Sequence, residues 1–286
     1  MASRTPIARS LLVLVFLLLV AVTWAQKPRE FTTIDEYYDA IGEEDVDDDK
    51  DTDEEYTAAE VDNPEADALD RATPEDPMSL PTCLLCVCLR GSVYCDDNKL
   101  TKIPSLPKDT SYFYARYNAI TSVHKKDFEG FNKLRRVNLS NNQIKSVDPG
   151  TFDDLPVLEE LLISNNDLTE IPGLPISLVT LAANKNSIID SGLPSDGFAK
   201  MENLKDLHLG NNQLEHVPPG LPENLQLLHL QNNKIDSIAN DTFCKPGDKT
   251  YVRKNLGDVR LDNNPVLLGS VPDAYICLHR LPTGRF

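Results

Sequence analysis

Serine is missing from the whole stretch between Gln26 and Met78. That absence excludes a glycosaminoglycan chain attached there through Ser-Gly, and it excludes a Ser/Thr/Pro-rich mucin-like stalk. Long apolar runs are nearly absent too. The longest, Leu11–Val22, has 12 residues, whereas a bilayer span needs about 20. Positive charge is scarce: 28 Lys and Arg stand against 45 Asp and Glu, for a formal net charge of −17. A nucleic-acid binder needs the opposite sign. Catalytic patterns are missing as well. There is no Gly-rich phosphate loop, no H-E-x-x-H and no G-x-S-x-G, and none of the five histidines has an evident nucleophile beside it. The chain reads as a non-enzyme with no cofactor.

What is present begins with Arg4 and Arg9, then the short apolar run, then Thr23-Trp24-Ala25. A positive start, an apolar centre and small residues at the cleavage positions make a secretory signal peptide over residues 1–25. The expected product is secreted and has no membrane span.

The negative charge is not spread evenly. Residues 27–82 hold 21 Asp or Glu against 4 Lys or Arg, while 83–286 hold 24 against 22. Few large aliphatics and prolines at 64, 74, 77 and 81 accompany the acidic block. Such a segment buries too little apolar surface to offset its chain entropy, so residues 26–79 are expected to be a disordered acidic tail. Tyr37 and Tyr38 lie in Asp35-Glu-Tyr-Tyr-Asp39, and Tyr56 follows Asp53-Glu54-Glu55. Tyrosines flanked by carboxylates suit a secretory-pathway sulfotransferase, so all three are candidate sulfation sites. The run 45–55 lacks the turn glycine and ligand spacing of an EF-hand, and supports no more than diffuse cation binding.

All six cysteines lie outside that block: Cys83, Cys86, Cys88 and Cys95 in one cluster, then Cys244 and Cys277. An even count in an exported chain reads as disulfides. Zinc at Cys83-x-x-Cys86 would want a second C-x-x-C or a histidine pair, and neither exists.

From about residue 110 the pattern L-x-x-L-x-L-x-x-N-x-L recurs, with its asparagine at 118, 142, 166, 186, 212, 233 and 264. This is the signature of a leucine-rich repeat. L-x-L alternates inward and outward, so each repeat contributes a short strand. Stacked repeats make a parallel sheet and a shared core that no repeat could bury alone. The asparagines turn inward to satisfy buried backbone groups. Pro-rich connections such as Ile171-Pro-Gly-Leu-Pro175 and Val217-Pro-Pro-Gly-Leu-Pro222 cannot sit inside helices. The expected fold is therefore an α/β-type leucine-rich-repeat solenoid with a curved parallel sheet on its concave face and an irregular, extended convex side. Open solenoid ends need caps. The cysteine cluster is placed to supply one at 80–109. Residues 110–286 then hold about seven repeats with a C-terminal ear flanked by Cys244 and Cys277.

Cys83-x2-Cys86-x-Cys88-x6-Cys95, seven repeats, a two-cysteine end and an acidic tyrosine-bearing tail together resemble the class III small leucine-rich proteoglycans. The resemblance covers residues 80–286 well and the tail only in character. It implies the pairs Cys83–Cys88, Cys86–Cys95 and Cys244–Cys277. It also implies a matrix location, binding of fibrillar collagen and growth factors, and regulation of matrix assembly, and it leaves room for a homodimer. A growth-factor- or receptor-binding module without collagen binding is the alternative. The tail, by its charge alone, should attract basic matrix proteins.

The outward positions within L-x-L are Tyr114, Asn138, Leu162, Ala182, His208, His229 and Arg260. With Arg116, Tyr117, Arg135, Arg136 and Glu160 they give a concave face of aromatic and basic character toward its N-terminal end. Tyr and Arg are common binding hot spots. Tyr114, Arg116, Tyr117, Arg136, His208, His229 and Arg260 are therefore the candidate partner-binding set, weighed against a merely solvated face. His208 and His229 lack a third ligand and are not read as a metal site. Two sequons complete the list: Asn138-Leu-Ser140, pointing out from a strand, and Asn240-Asp-Thr242, in a connection. Both are expected to carry glycans.

Overall fold

The computed structural model describes residues 81–286. The expected signal peptide, the acidic tail and Tyr37, Tyr38 and Tyr56 lie outside the described residues.

Strand formation lasts only as long as the L-x-L pattern does. Seven three-residue strands occupy it: β3 (Tyr112–Tyr114), β5 (Arg136–Asn138), β7 (Glu160–Leu162), β8 (Thr180–Ala182), β9 (Asp206–His208), β10 (Leu227–His229) and β11 (Asp258–Arg260). They pair in parallel and in register, one per turn of the solenoid. In each strand the middle residue points into the core. Phe113, Val137, Leu161, Leu181, Leu207, Leu228 and Val259 form one buried row, and Ala115, Leu139, Ile163, Ala183, Leu209, Leu230 and Leu261 form the next. A buried aliphatic of this size contributes about 1.5–3 kcal/mol. Deeper in the core Phe113, Phe128 and Phe152 meet at centroid distances of 5.7–6.1 Å.

The asparagine ladder closes the polar bookkeeping of the interior. Asn166 is representative: its Nδ2 donates to Leu139 O and Ile163 O, each at 3.0 Å, and its Oδ1 accepts from Ile144 N at 2.9 Å. One side chain thus ties adjacent turns together. The residue before each consensus asparagine has positive φ, between 53° and 59°, at Tyr117, Asn141, Asn165, Lys185, Asn211, Asn232 and Asn263. Asparagine tolerates the left-handed region better than most residues, which explains the Asn-Asn doublets in the sequence.

Convex connections are mostly extended. They carry the one-turn helix α2 (Lys125–Phe128), a two-stranded pairing of β4 (Ser122–Val123) with β6 (Ser146–Val147), and a 3-10 turn at Asp190–Gly192. Proline and the crowding of successive loops leave no room for longer helices.

The N-terminal end is closed by helix α1 (Thr82–Leu85) and an antiparallel hairpin of β1 (Val87–Leu89) with β2 (Ser92–Tyr94). The disulfides Cys83–Cys88 and Cys86–Cys95 hold it. β2 pairs in parallel with β3, so the hairpin extends the main sheet to nine strands. The cap hides an eighth, disguised repeat. Val93-x-Cys95-x-x-Asn98 matches L-x-L-x-x-N, Asp97 has φ 54°, and Asn98 Nδ2 donates to Leu85 O at 2.8 Å. A cysteine in a leucine position concealed the motif.

At the other end Cys244–Cys277 spans a separation of 33 residues. Arg253, 5% exposed, reaches back from this excursion and donates through Nη2 to Leu221 O at 2.8 Å and Pro222 O at 2.6 Å. The final segment covers the edge of β11: Thr283 N donates to Val259 O and Leu261 N to Thr283 O, both at 2.9 Å. Covering an edge removes a template for unwanted strand pairing.

Candidate functional site

The concave face consists of the first and third residue of every strand. In-register pairing aligns these into two rows running across the sheet. One row reads Leu89, Ser92, Tyr112, Arg136, Glu160, Thr180, Asp206, Leu227, Asp258. The other reads Val87, Tyr94, Tyr114, Asn138, Leu162, Ala182, His208, His229, Arg260.

The N-terminal part of the face is aromatic. Tyr94 and Tyr114 stack with centroids 5.0 Å apart and ring planes within 2°. Tyr94, Tyr112 and Tyr117 are exposed and Tyr114 is half-buried. Tyr117 stands on the turn after β3 and lies 6.0 Å from the Arg116 guanidinium carbon.

The expected basic character is neutralised, which corrects the sequence-based picture. Arg116 is bound to Asp96 through Nε at 3.0 Å and Nη2 at 2.7 Å. Arg136 grips Glu160 with Nη2 at 2.6 Å and Nε at 2.5 Å, and its Nη1 reaches Tyr114 Oη at 3.2 Å. Burial disfavours the charge on Arg136, but the hydrogen bonds to Glu160 and Tyr114 outweigh it and hold its pKa above the usual arginine value. Arg135 pairs with Glu159 in the same manner. Each partner sits about 20 to 24 residues away in sequence, one turn along the solenoid. Only the register reveals the pairing.

His208 and His229 are also corrected. Neither has any exposure, so they are not an open contact surface. Their Nδ1 atoms are 3.1 Å apart, and His229 Nε2 lies 3.3 Å from Asp258 Oδ2, which Arg260 Nη2 approaches at 3.5 Å. Leu162 and Ala182 are buried in the same row. In the facing row only Thr180 is buried, while Glu160, Asp206, Leu227 and Asp258, with Arg260 at the end of the first row, are half-exposed.

Asn138 is a third correction. The structure buries its side chain to 4% exposure, with Oδ1 accepting from Ser140 N at 3.1 Å. Tyr114 and Leu162 flank it in the row. The folded domain therefore does not offer it as an open acceptor. Asn240 is exposed on a turn.

Val87, Leu89, Tyr94 and Tyr112 were missed by sequence reasoning, although they enlarge the aromatic end. Val87 is 68% and Leu89 61% exposed. The disguised repeat around Asn98 was the signal that would have placed Tyr94 beside Tyr114. Among the described residues no group of three His, Cys, Asp or Glu could hold a metal ion, and no helix is long and apolar enough to cross a membrane.

Sheet, ladder and disulfide-closed ends define a leucine-rich-repeat protein, and its three disulfides fit an extracellular one. A leucine-rich-repeat family model matches residues 114–168, and a second matches 203–225. The chain is 44% identical to mouse mimecan over 207 residues, covering 72% of this chain and 70% of that protein. It is 43% identical to mouse epiphycan over 243 residues, covering 83% of this chain and 75% of that one. Among solved structures it resembles a chain in the octameric complex of Latrophilin 3, Unc5D and FLRT2. The TM-score there is 0.53 at 25% identity, over 68% of this chain and 57% of that one. The chain belongs to the class III small leucine-rich proteoglycan family of extracellular-matrix repeat proteins.

Proposed function

We propose that this is a secreted matrix protein whose repeat domain binds fibrillar collagen through the N-terminal end of its concave face and helps regulate matrix assembly. The observation that carries the reading is the tyrosine group Tyr94, Tyr112, Tyr114 and Tyr117, gathered at one end of a sheet whose outward residues Leu162, Ala182, His208 and His229 are buried. Aromatic side chains offer large contact area at low entropic cost and dominate interface energetics.

The acidic segment serves a second, separable role. Its 17 net negative charges attract basic matrix proteins, and sulfation of Tyr37, Tyr38 and Tyr56 strengthens that attraction. Such binding is screened by salt over about 10 Å at 0.1 M. Asn240 carries an N-linked glycan, and the exposure of its turn supports this.

Surface plasmon resonance on immobilised collagen, at two salt concentrations, tests both roles. Deleting residues 27–79 should leave collagen binding intact and abolish salt-sensitive binding to basic proteins. Tyr114→Ala with Arg136→Ala should weaken collagen binding. If the tail-less domain binds no collagen, the collagen reading fails and a growth-factor-binding module takes its place.

A further inference from the structure

We propose that the cap hairpin and β3 together form a docking strip for a polyproline-II strand running across the sheet, with Val87, Tyr94 and Tyr114 in one row of contacts and Leu89 and Tyr112 in the other. The inference rests on the collagen reading above and deepens it, by assigning the contact to the disulfide-held cap as well as to the repeats.

Spacing supplies the first argument. Val87 and Tyr114 are in register two strands apart, as are Leu89 and Tyr112. Two strand intervals amount to about 9.6 Å, and one turn of polyproline II advances about 9.3 Å. A strand lying perpendicular to β1–β3 therefore meets equivalent contacts once per turn in each row. Between Leu89 and Tyr112 stands only the small Ser92, which leaves a slot bounded by two large side chains. The stacked rings of Tyr94 and Tyr114 wall the neighbouring row. Aromatic-lined slots of this kind suit proline rings, whose preformed helix loses little entropy on binding.

Charge supplies the second. Three arginines bordering the strip are matched by carboxylates, Arg116 by Asp96, Arg136 by Glu160 and Arg135 by Glu159, while Arg90 stands exposed on the hairpin turn after Leu89. Apart from Arg90 at its margin, the strip is aromatic and aliphatic, and it fits an uncharged Pro- and Gly-rich strand better than a polyanion such as heparin.

Exposure supplies the third. Leu84, Val87 and Leu89 are 74%, 68% and 61% exposed at the sheet edge, where among the described residues no strand pairs with the outer side of β1. At the opposite edge the chain's own last residues cover β11.

The test uses the full-length protein and a triple-helical peptide of repeating Pro-Pro-Gly as probe, with fibrillar collagen run in parallel. Tyr94→Ala combined with Tyr112→Ala should weaken binding to both by about tenfold or more, as hot-spot aromatics do. Val87→Glu with Leu89→Glu, at exposed positions that folding does not depend on, should do the same. Leu281→Glu, an exposed apolar residue at the far end, should leave binding unchanged. Heparin in excess should not compete. Unaltered binding in both cap variants, or no binding of the Pro-Pro-Gly probe by the unmodified protein, overturns the strip even if fibrillar collagen still binds. Binding of the probe without binding of fibrillar collagen keeps the strip and removes the collagen function.

Discussion

His208 and His229 meet edge to face at the bottom of the concave sheet, ring centroids 4.7 Å apart and planes at 84°. Neither ring has any exposure. With Nδ1 facing Nδ1 at 3.1 Å, one ring must donate and the other accept. The pair works as a buried bridge between β9 and β10.

It follows that His208→Ala acts on stability and leaves ligand binding alone. Stranding a buried polar partner costs about 1–3 kcal/mol. Urea unfolding should show that loss, while collagen affinity of the folded variant stays the same. A stable variant with lost affinity would return these histidines to the binding surface.

The asparagine ladder is expected to be more sensitive. Asn166→Ala strands Ile144 N in the interior and takes one of two donors from Leu139 O and from Ile163 O, which keep Asn142 Nδ2 and Asn186 Nδ2. At about 1–3 kcal/mol for the one buried group left unpaired, with two further hydrogen bonds lost, the destabilisation should exceed that of an ordinary surface substitution, which is usually within about 0.5 kcal/mol. Thermal unfolding monitored by circular dichroism, against Asn165→Asp on the exposed edge, makes the comparison.

Removing the C-terminal bridge should also destabilise. For a loop closed at a separation of 33 residues, the chain-entropy account gives about 4 kcal/mol. Cys244→Ser with Cys277→Ser should lower the denaturation midpoint accordingly. Protease cleavage within 245–257 should rise first, since that excursion is then held only by non-covalent contacts, Arg253 to Leu221 O and Pro222 O and Tyr251 and Asn255 to Glu223 among them.

On the convex side, His216 Nδ1 lies 2.6 Å from Asp190 Oδ2. The hydrogen bond to Asp190 raises the imidazole pKa against a smaller burial penalty. A raised folded value means that the pair stabilises fully below the unfolded value of about 6.5 and loses its effect as pH rises through the folded value. Because the pair is largely exposed, the effect on stability is small. Asp190→Asn keeps an acceptor for Glu215 N and His216 N but removes the charge. NMR titration should then place the His216 midpoint lower than in the unmodified protein. An unchanged midpoint would show that the contact carries no charge pairing.

The sequence by itself determined the repeat, the inward rows, the asparagine ladder and the parallel sheet, because each is a local rule repeated every 20 to 31 residues. One local rule escaped notice: Val93-x-Cys95-x-x-Asn98 obeys the pattern with cysteine standing in for leucine. Which outward residues face solvent was decided by tertiary structure alone. Period-two alternation names a face, but exposure there depends on neighbours one turn away, packed about 4.8 Å to either side. Hence Asn138, His208 and His229 are buried while Tyr94 and Tyr112 are open. The charges behave likewise. Arg116 and Arg136 read as free cations along the chain, and they became paired only when stacking in register set Asp96 and Glu160 beside them.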